Sequence, residues 1–585
     1  MSCPSKARYG KPKKFTDEET VISSLALPQT DVPDSHGINL FRADSYASAM
    51  YDLYLPAPLR AHLATHFDRL GALAGSTLDD LAHAADHNPP TLSVRTRAGA
   101  DRATVIKHPA YVELERYAFS EYGLAAMSHR PGVLGWPERM PAVAKYALTY
   151  LFVQAEFGLC CPVSMTDSLA RTLTRYGSPE LIESVLPQVT SLDFDALRQG
   201  AMFMTEQGAG SDVSATATVA TEHADGSWRL EGDKWFCSNP DAGFAMVLAR
   251  SGQNPGLKGV SLFLLPRDLP DGARNAYRIL RLKDKLGTRS MASGEIRLEG
   301  ATAWLVGEPG QGFQQMADMI NNSRLSNGVR AAGLMRRATT EAIYVARHRR
   351  AFGKRLIDMP LMQRQLIKLL VPTEQARSMM MQTARALAIA DLGGDPALAR
   401  VLTPLIKFRA CRDARKVTGD AMEVRGGCGY IEEWSDARLV RDAHLGSIWE
   451  GTSNIVALDV LRAVKKAGGL EAIEAHVASL LAQGRPTPAH LQTLQADCLA
   501  RSYALARRAA DEDLGHLARQ AATALYNVVT LAALRFEAGA PGLASRGELA
   551  DMVLLHRLAP QDPCTARDAD MDAVSVLVSV IDQGD

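Results

Sequence analysis

Three textures of hydrophobic and polar positions follow one another along the chain. From about residue 45 to 200, apolar residues recur at three- and four-residue spacing, as in 142–155 and 167–176. That is the period of helices with one buried face, and no long strand-like run breaks it. Near Ala201 the texture changes. Up to Gly312, short runs of β-formers at 227–237, 244–250, 260–265 and 294–298 alternate with Gly, Asn, Asp and Pro. This predicts an all-β insert, a small barrel or sandwich. From Phe313 the helical period returns, and 327–351 and 361–390 read as bundle helices with Gly and Pro between them. The last stretch is rich in Ala, Leu and Arg, again helical, and is interrupted by a linker at 484–488. The first 40 residues are rich in Pro, Lys, Ser and Asp and read as an arm with little structure of its own. The pattern divides the chain into an arm (1–40), a helical domain (41–200), a β-domain (201–312), a helical bundle (313–467) and a C-terminal helical extension (468–585). The fold class is mainly α with a β-domain insert.

Composition narrows the class. Of 585 residues, 46% are hydrophobic and 22% charged, ordinary values that exclude a disordered or low-complexity chain. Lys+Arg and Asp+Glu are both 65, so no global field steers the protein toward nucleic acid or anionic membrane. The eight cysteines form no C-x-x-C and no zinc-like cluster, which predicts free thiols, a reducing compartment and no metal. The basic N-terminus has no apolar core behind it, and no run reaches about 18 apolar residues. The expectation is a soluble, cytoplasmic protein without a membrane partner.

Four segments carry possible chemistry. Met204, Thr205, Gly208, Gly210 and Ser211 lie in a small-residue loop whose N–H groups and hydroxyls can cradle an anion. Trp235, Phe236, Ser238 and Asn239 place aromatic faces beside hydrogen-bonding groups, suited to a flat cofactor. Arg349–Leu356, with Gln363 following, is a basic cluster at a helix end that can bind phosphates. The fourth begins at Gly426-Gly427 and continues through Ile448-Trp449-Glu450-Gly451-Thr452-Ser453-Asn454. Glu450, between an indole and a glycine, would be desolvated, with its pKa pushed up as a general base requires. Each alone also reads as ordinary structure: a tight loop, a strand ending in a turn, a capped helix end, a structural ion pair.

Taken in order, the segments resemble the acyl-CoA dehydrogenase family of flavoproteins. Thr205–Asp212 is similar to its TEP-x-x-GSD loop, Arg349–Gly353 to its R-x-x-FG motif, and Ile448–Ser453 to its I-Y-EGTS segment. The segment 282–293, Cys161-Pro162, Trp235-Phe236 and Ser447–Gly451 are similar to the AidB-like, alkylation-response branch, which also has a C-terminal helical extension. The resemblance implies an N-terminal helical domain, a middle β-barrel and a C-terminal four-helix bundle, with FAD between barrel and bundle. FAD contacts would come from Met204, Thr205, Gly210, Ser211, Phe236, Ser238, Gly426, Gly427, Thr452 and Asn454. Arg349, Phe352 and Gln363 would reach the FAD of a partner subunit, which implies at least a dimer, and the resemblance to an often tetrameric family leads to the expectation of a homotetramer, a dimer of dimers. Ser211, Arg324, Trp449 and Gly451 would line the acyl-CoA substrate.

Glu450 falls on the family's catalytic base. The alternative position used by some members, before an arginine on the first bundle helix, is Ser323 and carries no carboxylate. The implied reaction is α,β-dehydrogenation of an acyl-CoA thioester, with hydride transfer to flavin N5. The departures are Gln207 in place of proline, Glu423 in place of glutamine, and Trp449, bulkier than the usual tyrosine. The second implied function is a flavoprotein with weak dehydrogenase activity that associates with double-stranded DNA in alkylation-damage protection, as linked to the extension of the branch's namesake. Charge counts against it. From Arg462 onward there are 12 Lys/Arg and 15 Asp/Glu, a net of −3, and Arg501, Arg507, Arg508 and Arg519 are the residues left to form a basic face.

Overall fold

The computed structural model describes residues 32–466, 468–564 and 571–582. Residues 1–31, most of the expected arm, lie outside the described residues. The end of that arm is anchored: the Ser35 hydroxyl donates to both carboxylate oxygens of Glu341.

The first region is helical where the period predicts it. Helix Ala142–Phe152 is buried along its whole length, and Cys160–Tyr176 runs beside it. The expectation that no strand breaks this region is corrected. An antiparallel hairpin pairs Thr91–Arg95 with Asp101–Ile106. Most of its residues are exposed, so it carries no alternating apolar stripe that would announce strands. Val105 alone reaches the interior and joins the core of the β-domain.

The β-domain is a closed barrel. Phe244–Arg250 pairs in parallel with Val219–Glu222, which pairs antiparallel with Trp228–Ser238. That strand pairs with Ser293–Val306, then Val260–Pro266, which returns to Phe244–Arg250. Gly200–Phe203 and Tyr277–Leu282 add to the outside of this ring. Closure removes free edges, and Phe203, Leu230, Val247, Phe263 and Ile296 fill the interior. The strand expected at 294–298 extends to Val306, beyond the run of β-formers that marks it.

The bundle consists of Gly312–His348, Pro360–Asp391 and Ala397–Arg425, followed by Ser435–Gly446 and Ser453–Lys466. The 37-residue first helix is buried over most of its length, packed on both the N-terminal helices and the rest of the bundle. The extension adds Gly469–Gln483, Gln492–Asp511, Ala518–Glu537, Arg546–Val553 and Met571–Asp582. Among the described residues no helix is long and apolar enough to cross a membrane.

Buried charge ties the extension to the core. Arg546 Nε donates to Glu537 at 2.7 Å, and its Nη1 donates to Glu374 of the second bundle helix. Glu537 also accepts from Ser378 at 2.7 Å and from Tyr54 of the N-terminal region at 2.8 Å. Arg377, beside Glu374, donates to Asp44. All six charged groups of this network (Asp44, Arg336, Glu374, Arg377, Glu537, Arg546) are buried. Removing one member leaves its partners desolvated and unpaired. Arg546→Met is therefore expected to destabilise the protein by about 3–5 kcal/mol, read as a lower denaturant midpoint; an unchanged midpoint would show that the seam carries no stability.

Candidate functional site

The site is built around a six-residue turn. Helix Ser435–Gly446 ends, the chain passes through 447–452, and helix Ser453–Lys466 begins. Within the turn Glu450 has φ 57° and Gly451 φ 98°. A left-handed backbone costs a residue with a Cβ roughly 1–2 kcal/mol, so the surroundings must hold Glu450 there. Arg324 Nε donates to the Glu450 carbonyl at 3.1 Å, and Arg324 Nη1 is anchored on Asp459 at 2.8 Å. Lys407 Nζ donates to the Gly451 carbonyl. Two cations thus cap the two carbonyls that the turn directs into the bundle.

The Glu450 side chain is almost completely buried. Ser323 Oγ donates to its Oε1 at 2.5 Å, and Arg330 Nη2 stands 3.5 Å from the same oxygen. Oε2 is buried with no hydrogen-bond partner. Burial pushes the Glu450 carboxyl above the ordinary carboxylate range, while Arg330, Ser323, Lys407 and Arg324 oppose the rise. Burial also lowers Lys407 to about 8. Above this carboxylate lies an aromatic pair, Trp449 stacked on Phe157 with centroids 6.1 Å apart. The Trp449 Nε1 is buried and unpartnered.

The structure brings together Ser323, Arg324, Trp449, Glu450 and Gly451. It also assembles three groups without local sequence signals: Arg330, Lys407 and Asp459. Arg330 falls seven residues after Ser323, on the same helix face, which is the one available hint.

The other expected residues lie on two surfaces. In the 204–212 loop Met204 and Thr205 are half-buried, while Gly210 and Ser211 are exposed. Glu206 pins this loop. It accepts from Lys234 Nζ, Thr218 Oγ1 and the Ala217 N–H at 2.6–2.7 Å. Burial works against its charge, yet Lys234 and these donors hold its carboxyl below the ordinary value. Trp235 N–H then donates to the Thr205 carbonyl at 2.8 Å, joining the loop to the strand of Phe236 and Ser238. Phe236 is exposed and Lys283 sits 4.6 Å over its ring.

On the second surface, Arg349 Nη1 donates to the Arg425 carbonyl at 2.7 Å, beside the exposed Gly426 and Gly427. Phe352, 98% exposed, caps a tight hairpin with its own φ at 51°. Gln363 is half-buried, Thr452 and Asn454 are exposed. Cβ atoms built at Gly208, Gly210 and Gly427 meet nothing within 4 Å, so these backbones are open to a ligand.

The segment 285–293 links barrel, bundle and N-terminal helices beside Trp449. Thr288 N–H donates to Asp442 at 2.6 Å, and Ser290 Oγ donates to Glu156 at 2.9 Å. Burial, reinforced by the neighbouring Glu156, raises the Asp442 carboxyl to about 7.

Comparison with known proteins agrees with this architecture. The chain matches the acyl-CoA dehydrogenase C-terminal domain over residues 310–465, the acyl-CoA dehydrogenase middle domain over 201–301, and the adaptive response protein AidB N-terminal domain over 31–196. It is 36% identical over 402 residues to the putative acyl-CoA dehydrogenase AidB of Escherichia coli, covering 67% of this chain and 72% of that protein. It is 30% identical over 437 residues to acyl-CoA dehydrogenase family member 11 of Caenorhabditis elegans, covering 72% and 70%. The solved structure of Caenorhabditis elegans ACDH-11 with C11-CoA superimposes with a TM-score of 0.84 at 26% identity, over 94% of this chain and 96% of that one. The structure of apo Bd2924 superimposes with a TM-score of 0.79 at 30% identity, over 87% and 100%.

Asp442 offers a test of how tightly this region is sealed. Its folded pKa is raised, so the protonated form is favoured in the fold, and stability falls as pH rises from about 4 toward 7. Asp442→Asn keeps the acceptor for Thr288 and removes the charge. It is expected to stabilise the protein at pH 8, by at most about 4 kcal/mol, and to change little at pH 4. Thermal midpoints at the two pH values check this; equal effects at both would place Asp442 in contact with water.

Proposed function

Since the chain belongs to the acyl-CoA dehydrogenase family, on its AidB-like branch, we propose that it is an FAD-dependent enzyme that dehydrogenates an acyl-CoA thioester with Glu450 as base. It is an oxidoreductase acting on CH–CH groups. The observation that carries the mechanism is the Glu450 carboxylate: buried, held at Oε1 by Ser323, and free at Oε2. A substrate of this class is supported by the Caenorhabditis elegans relative, whose structure holds C11-CoA.

The residues fit FAD. The open glycine backbones at 208, 210 and 427 suit a phosphate-bearing ligand, and the uncovered faces of Phe236 and Phe352 suit a flat aromatic one. Met204, Thr205, Gly210, Ser211, Phe236, Ser238, Gly426, Gly427, Thr452 and Asn454 would hold it, and FAD when bound supplies the hydride acceptor. Arg349, Phe352 and Gln363 would serve a partner's FAD in a homotetramer. In support, Phe352 and Leu361 leave 98% and 84% of their surface uncovered on one edge of the chain.

This chain's own groups then act in sequence. Arg324, Trp449 and Gly451 would orient the thioester, with Trp449 narrowing its space and Ser211 contributing from the 204–212 loop. The Glu450 N–H donates to the thioester carbonyl as negative charge develops there. Glu450 Oε2 takes the α-proton. Its proton affinity is raised by burial, which strengthens it as a base, while Arg330 and Ser323 oppose that rise.

The DNA-associated reading has little support in the extension. Arg501, Arg507 and Arg508 lie against Asp497, Glu474 and Glu512 at 2.9, 3.1 and 3.4 Å. Each of these exposed arginines has an acidic neighbour at the surface, which offsets the positive field a phosphate backbone would meet. The extension is better understood as packing that buries the Glu537–Arg546 seam.

Glu450→Gln is expected to retain FAD and lose turnover by about 10²-fold or more, measured by anaerobic flavin bleaching with a panel of acyl-CoAs. Near-normal bleaching would remove Glu450 from the mechanism. Ser323→Ala removes a donor that lowers the Glu450 pKa. The acid limb of the kcat/KM profile should therefore move to higher pH; an unmoved limb would leave Ser323 a packing residue only.

A further inference from the structure

Favouring the charge of Glu450 leaves the donor fork of Arg330 unaccounted for. Arg330 lies one heptad after Ser323, on the face of the first bundle helix that meets the 447–452 turn, and its side chain is wholly buried. Nε makes a long 3.4 Å bond to the Ser326 carbonyl. Neither terminal nitrogen meets an oxygen or nitrogen acceptor within hydrogen-bond geometry among the described residues; the neighbour it does have is the Cys161 thiol, a weak acceptor. Nη2 approaches Glu450 Oε1 at 3.5 Å, but that oxygen is already taken by Ser323. A guanidinium sealed from water with its fork unused is costly, so the fork implies a ligand.

The surroundings indicate which. The guanidinium carbon lies 4.6 Å from the ring centroid of Trp449 and 5.6 Å from that of Phe157. Ring contacts of this kind use none of the N–H donors, and it is those donors that pair with a carboxylate through two parallel bonds. Charge points the same way. Arg324 is matched by Asp459, whereas Arg330 and Lys407 both bear on Glu450, the one carboxylate between them. One positive charge is left over where a second anion can sit.

We propose that Arg330 is a specificity-determining residue whose free fork binds a carboxylate on the tail of a short acyl group, so that the preferred substrate is the monothioester of a dicarboxylic acid. The guanidinium stands beside Glu450, so the tail carboxylate lies only a few carbons from the carbon that loses its proton. This rests on the reading of Glu450 as base and an acyl-CoA as substrate.

The test is an anaerobic titration of the FAD-loaded enzyme with glutaryl-CoA, succinyl-CoA and butyryl-CoA, reading the dissociation constant and flavin bleaching separately. At least one dicarboxylic thioester is expected to bind ten or more times tighter than butyryl-CoA. Arg330→Met should bring the two within about twofold, and Arg330→Lys, which keeps the charge but not the fork, should fall between. A wild-type enzyme that binds butyryl-CoA as well as both dicarboxylic thioesters overturns the proposal, even if Arg330→Met fails to fold. So does a preference that survives Arg330→Met. If butyryl-CoA alone binds and bleaches the flavin, the assignment of Arg330 fails and Glu450 stands as base. If no thioester binds or bleaches, both readings fall.

Discussion

Buried arginines on one helix must each find a carboxylate, and much of the molecule is arranged to supply them. Along Gly312–His348, Arg324 meets Asp459, Arg330 approaches Glu450, Arg336 meets Asp44 and Glu374, and Arg337 meets Asp79 and Glu341. These partners come from the N-terminal region, the bundle and the turn that carries Glu450. A buried ion pair adds little over a well-packed apolar pair, but a broken one is severely unfavourable. The constraint therefore works chiefly on register. The helix cannot slide or rotate against its neighbours without stranding several charges at once. The position of Glu450 follows from that fixed register, because Ser323, Arg324 and Arg330 all reach it from this helix.

The same constraint explains the extension. Glu374 faces Arg336, Arg377 and Arg546, and Arg546 in turn answers Glu537. Without helices Ala518–Glu537 and Arg546–Val553, Glu374 would lose one of its three arginines, and Tyr54 and Ser378 would lose the acceptor they share. The C-terminal helices thus complete charge pairing begun in the N-terminal region, and their net negative charge is compatible with that internal role.

The sequence pattern carried the order of layers well, because a barrel strand such as Phe244–Arg250 is a short buried run of apolar residues, and a bundle helix such as Pro360–Asp391 is too long an uninterrupted stretch to be a strand. It failed at Thr91–Ile106, where an exposed hairpin has no buried face to reveal. Glu450 was legible because the indole before it and the glycine after it already describe a desolvated carboxylate. Arg330, Lys407 and Asp459 were not. Each is an unremarkable charged residue on an amphipathic helix, and only the tertiary fold shows that its neighbours across the bundle are the turn and its carbonyls. Arg349, Phe352 and Gln363 carry a motif but sit on an exposed edge, where a single chain cannot supply what they would touch.

A general base inside a protein faces opposed demands. It must be buried to gain proton affinity, yet remain ionised until the proton arrives. In the role proposed for Glu450, the left-handed turn at this residue separates the two tasks. Its carbonyl is held by Arg324 and the next carbonyl by Lys407, so the backbone is secured without using the carboxylate. The carboxylate is left one hydroxyl donor and one arginine that is close enough to favour its charge and too far to bind it. The free fork of Arg330 and the free Oε2 of Glu450 are thus two consequences of one spacing, and a ligand that occupied both would complete the pairing that the rest of the helix achieves within the chain.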